Sequence, residues 1–318
     1  MQKSGIAVDL GGTKCAGAIV SPEGKILNRK TVRVAGLNGK KVGASLAELT
    51  GALIEESKRL KRTVAGICVS VPGIAYPSTG KVWAPNIPGW NSYPLKSDLE
   101  SRIGGRIPVF LDNDRACSIL GEAWMGAARN CQDAIFLAVG TGIGAGILSG
   151  GNMIRGSSGI AGATGWMALD SDYKPGYRQF GSFEYNASGN GLTRVAQDEL
   201  NRSAWEKSKL KAGEDLDAGA IFRSFEQGDP LAVRVIENAI TYWGKGVANF
   251  VSLFNPEVII FGGGIFGPGV SLLSRIREEA KKWAQPVSMK RVKLVPSALG
   301  QDAALYGAGR IALKMEKL

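Results

Sequence analysis

Two glycine-rich segments of this chain have the residue types and spacing of phosphate-binding turns. Residues 6–14 read IAVDLGGTK, and residues 136–146 read FLAVGTGIGAG. Each begins as an apolar run that is too short for a helix, turns at glycine and threonine, and resumes as a second apolar run. Because glycine has no Cβ, the backbone N–H groups of such a turn can closely approach an anion. One such turn alone is typical of an ordinary tight hairpin, but two in the same setting favour phosphate binding.

The residues after these turns distinguish them from the two best-known phosphate loops. The P-loop and the dinucleotide-binding turn both lead into a helix whose N-terminus holds the phosphate. Here the second apolar run is followed by another turn sequence, SPEG at residues 21–24 and SGGN at residues 149–152. We therefore predict two strand–turn–strand hairpins, each without a helix directly after it.

Asp114 is the candidate for proton transfer. It lies between a predicted strand at residues 109–111 and a predicted helix at residues 116–128. The positive end of that helix would keep the carboxylate ionised and able to accept a proton. An aspartate at this junction is equally typical of a helix cap. The sequence contains no histidine, so proton chemistry must fall to carboxylates, lysine or water.

The elements that must position these residues alternate between strand and helix, which predicts the α/β class. A chain of 318 residues with 44% hydrophobic content can fill two lobes. The two hairpins would each open one lobe with the same element order, which indicates a duplicated unit. We expect a small N-terminal lobe of residues 1–113 with 301–318, and a large C-terminal lobe of residues 114–300. Helices are predicted at residues 46–61 and 95–102, and a long helix with one apolar face at residues 236–254.

Charge and cysteine content narrow the classes of partner and compartment. The formal charge of +11 comes from scattered basic residues without a nucleic-acid motif, so we expect no nucleic-acid partner. The four cysteines have no paired spacing, which favours a reducing, cytoplasmic environment over a disulfide framework. No charged leader precedes the first strand and no stretch is long and apolar enough to span a bilayer, so we expect no membrane association.

The chain resembles the ROK family of bacterial sugar kinases and regulators over nearly its whole length. The segments that carry this resemblance are residues 9–14 (DLGGTK), 71–73 (VPG), 84–86 (APN), 113–114 (ND), 140–144 (GTGIG), 156–165, 188–189 (SG) and 262–264 (GGG). The resemblance implies the duplicated, two-lobed actin-like ATPase fold, which is also described as ribonuclease H-like. It also implies ATP and Mg²⁺ as cofactors, a homodimer, and a small-molecule sugar or polyol as partner.

The resemblance assigns roles to individual residues, and it favours the role of general base over that of helix cap for Asp114. Asp9 would orient magnesium, directly or through water, and Thr13 and Thr141 would donate hydrogen bonds to phosphates. The nucleotide-binding set implied in this way is Asp9, Gly11, Gly12, Thr13, Lys14, Gly140, Thr141, Gly142, Gly263 and Gly264. The implied sugar contacts are Asn86, Asn113 and Glu184, with Trp166 as a further substrate-binding candidate.

One segment departs from the zinc-containing relatives, which carry Ala-Gly-Glu-x-Gly-His followed by clustered cysteines. Residues 161–166 read AGATGW, so Ala163 and Trp166 replace a glutamate and a histidine that contact sugar, and Ser182 stands in a cysteine position. We therefore expect no zinc site. Ordinary glucose is not the expected substrate. A site that hydrogen-bonds the hydroxyl groups of a sugar discriminates strongly between substrates when the side chains that make those bonds are replaced. Trp166 either stacks on an apolar sugar face or fills the core, and we favour packing.

The leading hypothesis is an ATP-dependent kinase that phosphorylates a hydroxyl of a sugar or cyclic polyol. A non-catalytic sugar sensor or pseudokinase of the same fold is one alternative, and a polyphosphate-dependent sugar kinase is another. A DNA-binding repressor is not expected, because such members place a helix-turn-helix domain ahead of the first hairpin. Here five residues precede it.

Overall fold

The computed structural model describes residues 2–202, 205–211 and 216–314, which pack into two compact units. The first unit comprises the described residues within Met1–Gln132, Gly146–Ala161 and Ala298–Leu318. The second comprises those within Asp133–Ala145 and Gly162–Ser297. None of the helices in the described ranges combines the length and the apolar character needed to cross a bilayer.

The first unit is built on a five-stranded sheet of order β3-β2-β1-β4-β7. Its strands are β1 (Gln2–Leu10), β2 (Lys14–Val20), β3 (Ile26–Arg33), β4 (Arg62–Val71) and β7 (Val109–Asn113), and a small separate hairpin pairs β5 (Ile74–Tyr76) with β6 (Lys81–Trp83). The first three strands are antiparallel, whereas β1, β4 and β7 are parallel. The predicted strand–turn–strand hairpin is therefore confirmed for residues 2–20.

Helices cover both faces of this sheet because the strands are apolar on both sides. They are α1 (Gly39–Arg59), α2 (Leu95–Arg102), α3 (Asp114–Met125) and α11 (Ala303–Ala312). Ile6 and Val8 of β1 pack in one cluster with Leu46 of α1. Ala7, between them, points to the opposite face and packs with Cys117 of α3 and residues of α11. This alternation is the period of two expected for a strand.

The second unit contains the other glycine hairpin in a second five-stranded sheet, of order β10-β9-β8-β11-β12. The strands are β8 (Ala134–Val139), β9 (Ile143–Ser149), β10 (Asn152–Met153), β11 (Val258–Gly262) and β12 (Lys293–Pro296). The helices are α4 (Tyr177–Phe180), α5 (Ser182–Ala187), α6 (Gly189–Arg202), α7 (Ala218–Glu226), α8 (Pro230–Phe254), α9 (Leu273–Lys281) and α10 (Pro286–Arg291). The strand order repeats that of the first sheet, as the predicted duplication requires.

Some element boundaries differ from the prediction for identifiable reasons. Helix α1 begins at Gly39 rather than at residue 46, because the Asn38 side chain caps it by accepting from the Lys41 N–H at 3.2 Å. Helix α8 begins at Pro230, where Asp229 caps it. Strand β7 extends through Asn113, so Asp114 is the first residue of α3.

The predicted division of the chain after Asn113 differs from the two compact units. Helix α3 packs closely on α11, and residues up to Gln132 therefore belong to the first unit. This contact depends on glycine: a Cβ on Gly121 would lie 2.1 Å from the Ala303 carbonyl oxygen, and a Cβ on Gly307 would lie 1.7 Å from that of Cys117. Residues 315–318 of the predicted small lobe lie outside the described residues.

Gly307→Ala tests this close contact between α3 and α11. The added methyl group has no room against the Cys117 carbonyl, so we expect the free energy of unfolding to fall by at least about 1–3 kcal/mol. The matched control is Gly51→Ala in α1, where an added Cβ meets nothing within 4 Å. That change should raise stability by roughly 0.5–1 kcal/mol. Chemical denaturation measures both, and equal effects of the two substitutions would contradict the packing.

Candidate functional site

The turn between β1 and β2 presents backbone N–H groups at the end of a buried strand. Gly11 N donates to the Lys14 carbonyl at 2.9 Å, which closes the turn, and the Thr13 carbonyl accepts from the N–H groups of Val34 and Ala35. The N–H groups of Gly12 and Thr13 donate to no other described residue. Both residues are exposed, so their amides are available to an anion.

Three polar side chains form a row across the ends of the parallel strands beside this turn. Asp9 of β1 is in register with Ser70 of β4, and Ser70 is in register with Asp112 of β7. We call these three residues the polar row. Two residues earlier on each strand, the same register holds the apolar side chains of Ala7, Cys68 and Phe110, which pack against α3 and α11. The polar row therefore continues the face that α3 and α11 cover, just beyond its apolar part.

Within the polar row, the carboxyl group of Asp9 has a raised pKa. Burial raises the pKa of Asp9 from 3.8 to about 6, the hydrogen bond from Ser70 Oγ (2.8 Å) lowers it, and the negative charges of Asp114 and Asp302 raise it. The positive charge of Lys14 lowers the pKa of Asp9 by a smaller amount. The Asp9 carboxylate is therefore ionised at neutral pH, although burial makes its charged form unfavourable. A cation beside it would reduce the free-energy cost of that buried charge.

Asp114 begins α3, but it does not cap the helix. The cap is Asn113, whose Oδ1 accepts from the Ala116 N–H at 2.8 Å. Asp114 Oδ1 accepts from the neighbouring Arg115 N–H at 2.8 Å and lies 3.8 Å from Arg115 Nε, and the side chain is 49% exposed. Burial by surrounding protein nonetheless raises the pKa of Asp114 above its usual value. The cap alternative for Asp114 is thus wrong, and its carboxylate combines crowding with solvent access, as a general base requires.

Asn86 lies with the first glycine turn at a cavity of about 320 Å³ in the first unit. Its side chain is exposed and makes no hydrogen bond to another described residue. A Cβ on Gly12 would lie 3.7 Å from Asn86 Nδ2, so the two residues are adjacent. The first unit therefore brings together Asp9, Gly11, Gly12 and Asn86.

The second glycine turn lies at a cavity of about 370 Å³ in the second unit. Gly140 N donates to the Gly142 carbonyl at 2.9 Å, and the Gly140 carbonyl accepts from Gly189 N at the start of α6. No helix directly follows the hairpin, as predicted, yet a helix N-terminus reaches the turn from elsewhere in the chain. Gly263 has φ +87° and a Cβ there would lie 2.3 Å from the Val139 carbonyl, so only glycine fits.

One wall of this cavity is apolar and the other end is the phosphate-type turn. Leu216, Phe222 and Ile265 contribute the apolar side, and Gly140, Thr141 and Gly264 contribute the turn side. A cavity that combines both chemistries within one unit has the features of a nucleoside phosphate site.

Glu184 lies directly behind the second glycine turn. Its Oε2 accepts from the Ile143 N–H at 2.8 Å, and a Cβ on Gly142 would lie 2.6 Å from the same oxygen. Burial raises the pKa of Glu184, while this hydrogen bond and Arg194 lower it. Trp166 is close to Glu184, because a Cβ on Gly165, the residue before Trp166, would lie 2.8 Å from Glu184 Cβ. Trp166 is 56% exposed, so the expectation that it fills the core is wrong.

Hydrogen bonds brace the segment around Trp166. Ser182 Oγ donates to the Met167 carbonyl at 2.9 Å and accepts from the Leu169 N–H at 2.8 Å. The Asp170 carboxylate accepts from the hydroxyl groups of Tyr177 and Tyr242, and burial raises the pKa of Tyr242. Ser182 thus ties the backbone at Met167 and Leu169 to the start of α5.

The Asp9 carboxylate is suited to bind magnesium, but only in a site where water and substrate phosphates supply the other ligands. Among the described residues no group of three or more His, Cys, Asp or Glu side chains is arranged to hold a metal ion. Magnesium commonly keeps several waters and binds one or two carboxylates together with substrate phosphates. A half-buried carboxyl beside a phosphate-type turn meets that requirement.

Several residues at these sites were not predicted from the sequence. Ser70 and Asp302 act on Asp9, and Phe222 lines the cavity of the second unit. Each lies far along the chain from the motif it joins. Only register and long-range packing bring them there, and no local pattern marks them.

Comparisons with known proteins show the family and the fold of this chain. The sequence profile of the ROK family matches residues 5–315. A glucokinase from Thermotoga maritima is 32% identical over 312 residues, covering 96% of this chain and 96% of that relative. Similarity to solved structures extends over the same length.

Two solved structures show the range of functions in similar proteins. A ROK family glucokinase from Streptomyces griseus, in complex with glucose and AMPPNP, has a TM-score of 0.79 and 29% identity, covering 98% of this chain and 99% of that chain. A ROK family transcriptional regulator has a TM-score of 0.85 and 25% identity, covering 98% of this chain and 78% of that chain. The predicted actin-like ATPase fold is confirmed.

Asp9→Asn tests the raised pKa of Asp9 in the free protein, without nucleotide or metal. A raised pKa means that Asp9 contributes stability that is complete below the ordinary pKa of 3.8 and is lost as pH rises through about 6. The amide, which carries no charge, should therefore raise the free energy of unfolding by on the order of 1–3 kcal/mol at about pH 8, with a smaller gain at about pH 5.

Denaturant titration of the free protein at both pH values measures this difference. Glu55→Gln is the matched control, because Glu55 is an exposed carboxylate on α1 paired only with Lys58. It should show no comparable pH-dependent gain. A gain for Asp9→Asn that is equal at both pH values, or a loss at the higher one, would contradict the burial of an ionised Asp9.

Proposed function

Since the chain belongs to the ROK family, we propose that it is a carbohydrate kinase that transfers the γ-phosphoryl group of ATP to a hydroxyl of a sugar or cyclic polyol. The observation that carries this proposal is the state of Asp114. Asn113 caps α3 in its place, which leaves a crowded, solvent-accessible carboxylate at the end of β7. Such a carboxylate, whose hydrogen bond and ion pair are with its neighbour Arg115, does not cap the helix and is suited to accept a proton.

In this mechanism Asp114 takes the proton from the acceptor hydroxyl while its oxygen attacks the γ-phosphorus. The bond from phosphorus to the β-bridging oxygen breaks, and ADP leaves with that electron pair. Phosphoryl transfer depends mainly on positioning and charge stabilisation, so the base needs only to orient and deprotonate the hydroxyl. Asn86, Asn113 and Glu184 are the proposed hydrogen-bonding partners of the acceptor.

The donor would be bound by the two glycine turns. Backbone N–H groups of Gly12 and Thr13 are available for phosphate oxygens, and Thr141 lines the cavity of the second unit. Magnesium, when bound with the nucleotide, neutralises charge on its phosphates, and Asp9 is the residue that would hold it or its waters. ATP is favoured over polyphosphate because the apolar wall at Phe222 suits a nucleoside and has no counterpart in a polyphosphate chain.

The acceptor is proposed to differ from ordinary glucose. Ala163 offers no polar group, and the exposed indole of Trp166 can stack on the apolar face of a ring. The same two residues support the alternative of a non-catalytic sugar sensor. Phosphate transfer from ATP to any sugar or polyol distinguishes the two functions.

Asp114→Asn tests the proposed function. We expect kcat to fall by roughly 10² to 10⁴-fold, because the amide cannot accept the proton. Because burial raises the pKa of Asp114, the wild-type rate should begin to fall at a higher pH than for a free aspartate as the medium is acidified. The measurement is ATP-dependent phosphorylation across hexoses, amino sugars, anhydrosugars and inositols.

Glu55→Gln is again the control and should retain full turnover, since that carboxylate is exposed on α1. Unchanged turnover of Asp114→Asn would reject its role as the base. Binding of a sugar by the wild type without any phosphate transfer would favour the sensor.

A further inference from the structure

Both oxygens of the Asp112 carboxylate, in the polar row, accept hydrogen bonds. Oδ2 accepts from Arg155 Nη2 at 2.6 Å, and Oδ1 accepts from the Asn113 N–H at 2.9 Å. The Asp112 side chain is 10% exposed, whereas that of Arg155 is 40% exposed. The ion pair therefore joins a nearly buried carboxylate to a guanidinium group that reaches solvent. The proposed mechanism does not use Arg155.

The hydrogen bond from Asn113 leads to the residue proposed as the base. Asn113 ends β7, and its side chain caps α3 by accepting from the Ala116 N–H at 2.8 Å. Asp114 is the first residue of α3. The backbone that carries Asp114 is thus held by the cap on one side and by the Asp112 carboxylate on the other.

Arg155 is itself held by hydrogen bonds of the segment around it. The Ile154 N–H donates to the Ile147 carbonyl at 2.9 Å, and the Arg155 carbonyl accepts from the Ala161 N–H at 3.1 Å. Gly156 takes a left-handed φ of +70°, which lets the chain turn directly after Arg155. The guanidinium group therefore extends from a backbone that is fixed on both sides of it.

We propose that Arg155 is a positioning residue, which fixes the base Asp114 through Asp112. This inference rests on the proposed function. Without the guanidinium group, the nearly buried Asp112 carboxylate would lose its cationic partner, which is strongly unfavourable. The carboxylate would then turn toward water or take up a proton, and its hydrogen bond from the Asn113 N–H would weaken. Asp114 would be held less accurately against the acceptor hydroxyl.

Kinetics of Arg155→Ala and Arg155→Lys test this role. We expect Arg155→Ala to lower kcat by roughly ten- to a hundredfold, because a small misplacement of a catalytic group is costly. KM for ATP should be unchanged, because the Gly12 and Thr13 amides are not altered. The contact uses one guanidinium nitrogen, so the ammonium group of Arg155→Lys should recover part of kcat. Each variant is assayed well below its melting temperature, which separates folding from turnover.

Arg102→Ala is the matched control, because Arg102 forms a similar ion pair elsewhere in the same unit. Arg102 Nε lies 2.9 Å from Asp98 Oδ1, and the Arg102 side chain is 42% exposed. Asp98 also accepts from a second donor, the Tyr93 hydroxyl, at 2.8 Å. The pair lies on α2 and has no part in the proposed mechanism, so kcat of Arg102→Ala should equal that of the wild type. Equal values of kcat for Arg155→Ala and Arg102→Ala would overturn the proposal.

Asp112→Asn tests whether the two residues act through one contact. The amide places an NH₂ group where the carboxylate has its second accepting oxygen, so it cannot hold both the Arg155 guanidinium and the Asn113 N–H in the same way. We expect kcat to fall about as far as in Arg155→Ala. Combining Arg155→Ala with Asp112→Asn should cost little more than either change alone. Losses that multiply would show two independent effects and reject the proposal.

Hydrogen exchange of the Asn113 and Ala116 backbone amides separates this inference from the proposed function. In Arg155→Ala both amides should exchange roughly tenfold faster or more, whereas Arg102→Ala should leave them unchanged. If the wild type phosphorylates no acceptor, faster exchange would reject the kinase but keep Arg155 as the residue that fixes this junction. Phosphate transfer by the wild type, with kcat and exchange both unchanged in Arg155→Ala, would keep the kinase and reject the role of Arg155. Should Arg155→Ala fail to fold, Arg155→Lys carries both comparisons, with smaller changes in the same directions expected.

Discussion

The candidate site of the first unit depends on the register of three parallel strands. Alternation along β1, β4 and β7 sends one set of side chains toward α3 and α11, and this set is apolar until the last residues of each strand. There it becomes the polar row of Asp9, Ser70 and Asp112. The row fixes Asp9 through Ser70 and fixes the start of α3 through Asp112. Both carboxylates proposed for chemistry, Asp9 and Asp114, therefore derive their placement from one feature of the sheet.

The second unit places the second glycine turn beside Glu184 and Trp166, the two residues of this unit that are proposed to contact the acceptor. Glu184 supports the backbone of the second glycine turn through the Ile143 N–H, and Gly142 is confined against the same carboxylate. Trp166 stands beside it on a segment that Ser182 and Asp170 brace with hydrogen bonds. Side-chain hydrogen bonds therefore order this segment.

The sequence predicts best what is encoded locally. The two hairpins follow from glycine and threonine between short apolar runs, and helix α2 is predicted at its observed bounds because its pattern is complete within eight residues. The start of α1 at Gly39 is not marked by apolar spacing, because its first residues are glycine and lysine. The choice between Asn113 and Asp114 as the cap is a difference of one residue that no periodicity resolves. Ser70, Asp302 and Arg155 reach the site only through tertiary packing, which a single sequence does not display.

The polar row also determines which kinds of sequence change this site can accept. Because side chains alternate between the faces of a strand, inserting or deleting one residue within β1, β4 or β7 would exchange the two faces beyond that point. Asp9 or Asp112 would then be directed into an apolar layer, and an aliphatic neighbour would take its place at the site. Changes in length are therefore expected in the loops or at a β-bulge, such as the register shift between β1 and β4 at Ser4 and Gly5. Elsewhere in these strands, divergence proceeds by replacing one side chain with another.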